Sequence, residues 1–185
     1  MKDMRAILAG VPGVGKSTVL ELVKGMVPDL EVYNLGDLML DEAIRRGLVS
    51  SRDGIRSLEP EEILDLRRKA LSRVRGTKVI LDTHLSVRTG AGFLPGITQE
   101  VLNIFKPHLI LVREDEPRVI ASRRSLDRLT GSRTGRDVES EEDIAEHQEV
   151  NRAIAFACAV VSGCPVRILR GDAGSVASEI ARLMG

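Results

Sequence analysis

The chain has 185 residues, 43% of them hydrophobic, and equal numbers of acidic and basic side chains give a formal net charge of zero. That length suits one domain able to bury roughly 70% of its unfolded surface, and the composition excludes a disordered or fibrous chain. Zero net charge and only four aromatic rings (Tyr33, Phe93, Phe105, Phe156) argue against nucleic-acid binding, whether non-specific or by base stacking.

In chain order, "RAILAG" predicts a first strand, and Lys16 to Val27 a helix stopped by Pro28. "LEVYNL" (30–35) reads as a second strand, followed by the helix "DLMLDEAIRRG". Pro60 sits where a first-turn proline belongs and opens a helix that runs to Gly76. "KVILD" (78–82) and "HLILVR" (108–113) are the third and fourth strands. His108 is a structural residue that starts its strand. A helix over 115–126 leads into an arginine-rich stretch, and Ser140 with Asp143 forms a capping box before a long helix to Val161. "VRILR" (166–170) is a fifth strand, and Ser175 to Met184 a last helix. Short β-branched runs separated by helices imply a parallel sheet covered on both faces. No run approaches the roughly 18 residues of a membrane span, and "MKDMRAILAG" is not expected to be a signal peptide. Cys158 and Cys164 lack metal-ligand spacing and read as small apolar fillers in a reducing, cytoplasmic setting.

"GVPGVGKST" lies between the first strand and the first helix. Gly10, Gly15, Lys16 and Ser17 satisfy G-x-x-x-x-G-K-[ST], a match expected by chance in about 1% of chains of this size. Glycines let the backbone turn its N–H groups onto phosphate oxygens, and the helix beginning near Lys16 adds its positive end. Lys16 is expected to reach the β- and γ-phosphates and Ser17 to ligate Mg²⁺. The ATP-binding candidates are therefore Gly10, Val11, Pro12, Gly13, Val14, Gly15, Lys16, Ser17 and Thr18. Asp82 ends the third strand, where a carboxylate can order the Mg²⁺ hydration shell through water. No N-K-x-D is present, which disfavours a GTPase.

Two excursions suit a kinase, which must hold an acceptor in line and exclude water. The first, 34–76, carries Arg52 and Arg56, four apart and on one helical face if that piece is helical. The second, 118–137, carries arginines 118, 123, 124, 128, 133 and 136, with Gly131 and Gly135 to hinge it. It is expected to be a lid that closes over the polyphosphate. The core is then 1–33, 77–117 and 138–185.

These residues resemble the archaeal-type adenylate kinases. The likeness runs over nearly the whole chain: "GVPGVGKST", "NLGDLM" (34–39), "RDGIRSLEPEE" (52–62), "VILDTHLSVRT" (79–89), "GFLPG" (92–96) and "IAEHQEVNRA" (144–153). It implies reversible transfer from ATP to AMP giving two ADP, with Mg²⁺, on a five-stranded parallel sheet of order 2-3-1-4-5. It also implies a homotrimer, to which Ile144, Ile154, Ala157 and Val161 could contribute if they are not core. By the same likeness Gly36 and Asp37 lie beside the AMP ribose, and Thr83 and His84 face the AMP pocket. The conventional "DGFPR" has become "DTHLS" after Asp82, removing the arginine that grips the AMP phosphate; Arg52, Arg56 or Arg88 are candidates to replace it. Arg124 and Arg128 match the start of the lid, and Arg136 with Asp137 its far arm, with Arg133 between. Arg124, Arg128 and Arg136 join Lys16 as the catalytic candidates, while Arg133, Asp137 and Arg152 are phosphate or lid support. His147 and Gln148 fix the long helix against the lid, and "RGDAG" (170–174) is the adenine loop, with adenine stacked on a lid guanidinium. A kinase for another nucleoside monophosphate, or an ATPase switch in ribosome or RNA assembly, are the rival functions.

Overall fold

The computed structural model describes residues 3–129 and 139–185, and their side chains except those of Asp53, Arg56 and Arg128. Five strands form one parallel sheet: β1 (Met4–Ala9), β2 (Leu30–Asn34), β3 (Lys78–Asp82), β6 (Leu109–Arg113) and β7 (Val166–Leu169). Their order is β2-β3-β1-β6-β7. Counted within this sheet, that is the expected 2-3-1-4-5. Two further strands, β4 (Ser86–Thr89) and β5 (Gly92–Pro95), make an antiparallel hairpin that the pattern reading did not separate from its surroundings.

Period-two alternation along the central strands divides the core between the two faces of the sheet. Ile7, Val79, Leu81, Ile110 and Val112 point into one cluster. Their neighbours Leu8, Ile80 and Leu111 point into the other. A strand buried on both faces reads as a nearly continuous apolar run, and β6 is buried at all five residues, four of them aliphatic and the last Arg113. The second cluster is closed by α1 (Lys16–Met26) and α7 (Ala173–Met184). The first is covered by α2 (Leu35–Arg45), α3 (Pro60–Ser72), α4 (Gln99–Phe105) and part of α6 (Glu141–Ser162). A small third cluster joins Val11 and Val14 of the glycine loop to Ile120 of α5 (Pro117–Leu129) and Ile144 of α6.

Local chemistry accounts for most element ends. Ser140 and Asp143 form a reciprocal capping box at α6, and Gly163 ends that helix in the left-handed region. Pro60 opens α3 as its first residue. Three elements differ from the sequence pattern. Residues Asp53–Ser57 form a 3₁₀-helix with Arg52 as its cap, so positions 52 and 56 do not share a face; with three residues per turn it is i and i+3 that eclipse. Helix α3 ends at Ser72, a turn before Gly76. The seven-residue α4 escaped notice because its stop is not a glycine: Lys106 takes the left-handed conformation itself, at φ 51°, just before Pro107.

Gly96 closes the hairpin onto the sheet, donating its N–H to the Leu85 carbonyl at 2.7 Å. A Cβ at position 96 would overlap the backbone carbonyl of His84, which cannot rotate away. Gly96→Ala is therefore expected to cost about 1–3 kcal/mol of stability, as overpacking against fixed backbone does, measured by urea unfolding. Unchanged stability would show that the hairpin shifts freely.

Candidate functional site

The carboxyl ends of β1, β3 and β2 finish at one level because their parallel register pairs Leu8 with Asp82 and Asp82 with Asn34. The glycine loop leaves β1 there. Val11 and Val14 are 1% exposed and packed beneath it, so the loop presents mainly backbone. Gly13 and Gly15 sit at φ 81° and 91°, which only glycine adopts without strain. Gly15 is the N-cap of α1 and offers no capping side chain, and no acidic residue lies in the first turn. The N–H groups and positive end of α1 are thus left to an anion. Gly10 is required by proximity: a Cβ there would lie 2.6 Å from the Arg113 carbonyl oxygen.

Lys16 Nζ donates to the Gly10 carbonyl at 3.2 Å and lies 3.8 Å from Asp82 Oδ1. Asp82 Oδ1 is buried with no hydrogen-bond partner among the described residues, while Oδ2 accepts from Asn34 Nδ2 at 2.8 Å. Ser17 and Thr18 are exposed in the first turn of α1. A hydroxyl and a carboxylate with an unused buried oxygen are hard donors that fit a small divalent cation such as Mg²⁺.

Arg124 is held over the loop. Its Nε donates to the Pro12 carbonyl at 2.8 Å, its Nη1 pairs with Glu139, and a Cβ on Gly13 would sit 2.8 Å from its Cγ. Arg123, which carried no assigned role, reaches the same place: a Cβ on Gly15 would lie 3.7 Å from its Nη1, and it pairs with Asp115 at 2.9 Å. Arg128 belongs to α5, whereas Arg133, Arg136 and Asp137 lie outside the described residues.

On the other side, Asn34 Oδ1 caps α2 by accepting from the Asp37 N–H at 3.0 Å. Arg52 pairs with Asp37, and its Nη1 would be 3.6 Å from a Cβ on Gly36. Gly36, Asp37 and Arg52 are therefore together. Both charged partners are more than half exposed, so the pair contributes little stability. Arg56 is in the adjoining 3₁₀-helix. Thr83 is buried, its N–H bonded to the Leu8 carbonyl at 3.1 Å, and His84 is half-buried beside it. Arg88 lies on β4, bound to Asp143 at 2.7 Å and near Glu146 and the Phe93 ring.

Helix α6 braces these parts. Gln148 makes two hydrogen bonds to the backbone of Asp115, accepting at 3.1 Å and donating at 3.0 Å, where β6 passes into α5. Asn151 accepts from Ser86 Oγ at 2.7 Å. Arg152 pairs with buried Glu114 at 2.8 Å, which also holds Arg170 at 2.7 Å. Arg113 is 3% exposed and donates to the Leu169 and Gly171 carbonyls, so it fixes the loop after β7. Burial lowers its pKa, with Asp115 opposing. His108 accepts from the Arg5 N–H at 3.1 Å, a structural link between β6 and β1. Glu114 carried no sequence signal of its own, and the partners of Asn34 and Arg123 are recognisable only from the structure.

A strand, a glycine loop with its lysine, a helix N-terminus and a carboxylate at the end of the neighbouring strand define a nucleotide-binding domain of the P-loop kinase type. Solved structures agree on the fold. A shikimate kinase from Acinetobacter baumannii superposes with TM-score 0.60 at 14% identity, covering 98% of this chain and 92% of that one. A shikimate kinase from Bacteroides thetaiotaomicron gives 0.56 at 15%, covering 98% of both. The family model described as an AAA domain matches residues 9–145. Among curated relatives, an adenylate kinase of Thermococcus kodakarensis is 41% identical, covering 88% of this chain and 84% of the relative. One of Thermoplasma acidophilum is 40% identical, covering 92% and 91%. One of Thermoplasma volcanium is 38% identical, covering 98% and 99%. The chain belongs to the adenylate kinase family.

His147 provides a pH test of the brace. It is 3% exposed, with Nε2 3.4 Å from the Ser86 carbonyl and its ring 5.1 Å from Phe93. Burial lowers its pKa, and the Ser86 carbonyl only partly opposes this. As pH falls, the unfolded chain takes up the proton first, near pH 6.5, so stability declines from about that pH downward. His147→Gln should lose less stability than wild type between about pH 7 and pH 5 in urea denaturation. Parallel pH profiles would assign the decline to other groups.

Proposed function

We propose that this protein is an ATP:AMP phosphotransferase, interconverting ATP plus AMP with two ADP. Family membership supports the reaction, and the observation that carries it to these residues is the meeting of Lys16, the α1 N-terminus and Asp82 at one sheet edge, with Gly36, Asp37 and Arg52 across from them. The glycine loop would hold the ATP phosphates through backbone N–H groups, and the 170–174 loop fixed by Arg113 would line the adenine. Segment 34–76 would receive AMP, with Thr83 and His84 on its wall, and 118–137 would be the lid; the parts assigned to Arg133, Arg136 and Asp137 rest on the resemblance alone. Arg52, Arg56 and Arg88 remain the candidates for the AMP phosphate, and Arg152 for phosphate or lid support.

Transfer is direct and in line, with no covalent enzyme intermediate. An AMP phosphate oxygen attacks the γ-phosphorus as the bond to the β-phosphate oxygen breaks. No general base is required, because that phosphate is already ionised near neutral pH. Lys16, with Arg124 and Arg128, spreads the charge developing on the transferred group, and the closed site excludes water that would otherwise accept it. Mg²⁺, held by Ser17 and through water by Asp82, would neutralise phosphate charge.

The trimer that the family likeness implies has a candidate surface. Ile144 is buried in the core and Ile154 packs against it, so neither is available. Ala157 and Val161 are exposed, and Ala153, Phe156 and Val160 complete an apolar stripe at i, i+3, i+4, i+7 and i+8 along α6.

Two measurements test these assignments. Incubation with MgATP should yield ADP rapidly only when AMP is added. Lys16→Ala should lower that rate at least about 100-fold with an unchanged circular dichroism spectrum. A better acceptor among other monophosphates would change the substrate, and AMP-independent hydrolysis stimulated by RNA or protein would favour a switch. In sedimentation velocity the wild type should run as three chains and Val160→Asp, at an 85% exposed position, as one. A wild-type monomer would remove the trimer.

A further inference from the structure

Asn34 is the last residue of β2 and the N-cap of α2, and its two amide atoms face different parts of the site. The Asp37 N–H can only donate, so it must meet Oδ1; the Asp82 carboxylate can only accept, so it must meet Nδ2. One amide orientation satisfies both bonds. Asp82 thereby has Oδ2 occupied at 2.8 Å and Oδ1 left buried with no hydrogen-bond partner among the described residues, 3.8 Å from Lys16 Nζ. A series of polar contacts leads from Lys16 to Asp82 by charge, from Asp82 to Asn34 by a hydrogen bond, and on to the N–H of Asp37, whose carboxylate pairs with Arg52. It joins the candidate donor-phosphate site to the candidate acceptor excursion.

We propose that Asn34 is a positioning residue for phosphoryl transfer: its Nδ2–H holds the Asp82 carboxylate in the rotation that turns Oδ1 toward Lys16 and the phosphate end of the site. This rests on the phosphotransferase reading above. Without that hydrogen bond the carboxylate can turn about its own axis and pair with Lys16 through either oxygen, and the lysine loses its fixed neighbour. The other half of the amide anchors the first turn of α2, so Gly36 and Asp37 are placed by the same side chain.

A helix cap alone would be served equally by serine, threonine or aspartate. This separates the two roles. Asn34→Ser and Asn34→Thr keep a capping oxygen but are too short to reach Asp82. Asn34→Asp keeps the cap and the size, and places a carboxylate against a carboxylate. Asn34→Ala removes both bonds. All four are compared with wild type by thermal melting, by the KM and kcat for AMP, and by calorimetric binding of a non-hydrolysable ATP analogue with and without Mg²⁺.

The serine and threonine variants should melt near wild type and the aspartate variant lower, through repulsion from Asp82, while all three lose at least about tenfold in kcat, with KM for AMP within about twofold in the serine and threonine variants. The factor by which Mg²⁺ tightens analogue binding should shrink in the same three variants, also about tenfold. Asn34→Ala should show the same kcat loss and a lower melting temperature. If the serine and threonine variants keep wild-type kcat and the full Mg²⁺ effect, Asn34 is only a cap and the proposal is wrong. A wild type whose analogue binding ignores Mg²⁺ also overturns it. If wild type forms no ADP from ATP and AMP, the phosphotransferase reading fails instead, and the calorimetric comparison still decides the role of Asn34.

Discussion

Parallel hydrogen bonding brings β1, β3 and β2 to a common end, and everything at the site is placed by that alignment. Asn34 stands opposite Asp82, and Asp82 opposite Leu8, one residue before the chain leaves β1 for the glycine loop. A slip of one residue between β2 and β3 would turn Asn34 to the other face and bury polar groups in the α1–α7 layer. Such a slip is opposed along the whole strand, because Val79 and Leu81 fill one core and Ile80 the other. The apolar alternation that makes the sheet therefore also sets the geometry of the two polar side chains, Asn34 and Asp82, at the strand ends.

Charge at that edge is handled by pairing cations with carbonyls and carboxylates that a nucleotide could partly replace. Arg124 is bound to the Pro12 carbonyl and Glu139, and Arg123 to Asp115. Deeper in, Glu114 is 4% exposed between Arg152 and Arg170, and Arg113 spends its donors on three backbone carbonyls and Asp115. A buried charge of this kind is tolerated because its partners are supplied. The result is a loop over 169–171 held from below, so that an adenine laid against it would meet a backbone already in place.

Helix α6 connects the β4–β5 hairpin to the junction of β6 and α5. Its first turn binds Arg88 of the hairpin, its middle binds the Asp115 backbone and Ser86, and its second half presents an apolar stripe outward. Helix α5, which begins at Pro117, thus follows a stretch of backbone that Gln148 holds by two hydrogen bonds. Surface apolar residues at strict helical spacing are a different feature from core packing, and the division falls within one helix: Ile144 inward, Val160 outward.

What the sequence determined by itself was what short-range chemistry decides. The glycine loop, the Pro60 start and the Ser140–Asp143 box act over a few residues, so their spacing sufficed, and the period of apolar residues announced a parallel sheet covered on both faces. Helix α4 was missed because it is short and stops at a left-handed lysine, and the β4–β5 hairpin because its short strands, SVRT and GFLP, carry no apolar run and include Gly92 and Pro95. Arg52 and Arg56 could be named as cations but not placed, since a 3₁₀ turn rotates them apart. Asn34 with Asp82, Gln148 with Asp115 and Glu114 with Arg170 are separated by 48, 33 and 56 residues. Only the tertiary structure could decide those pairs, because nothing in the local spacing of either member fixes which distant strand end or helix face it will meet.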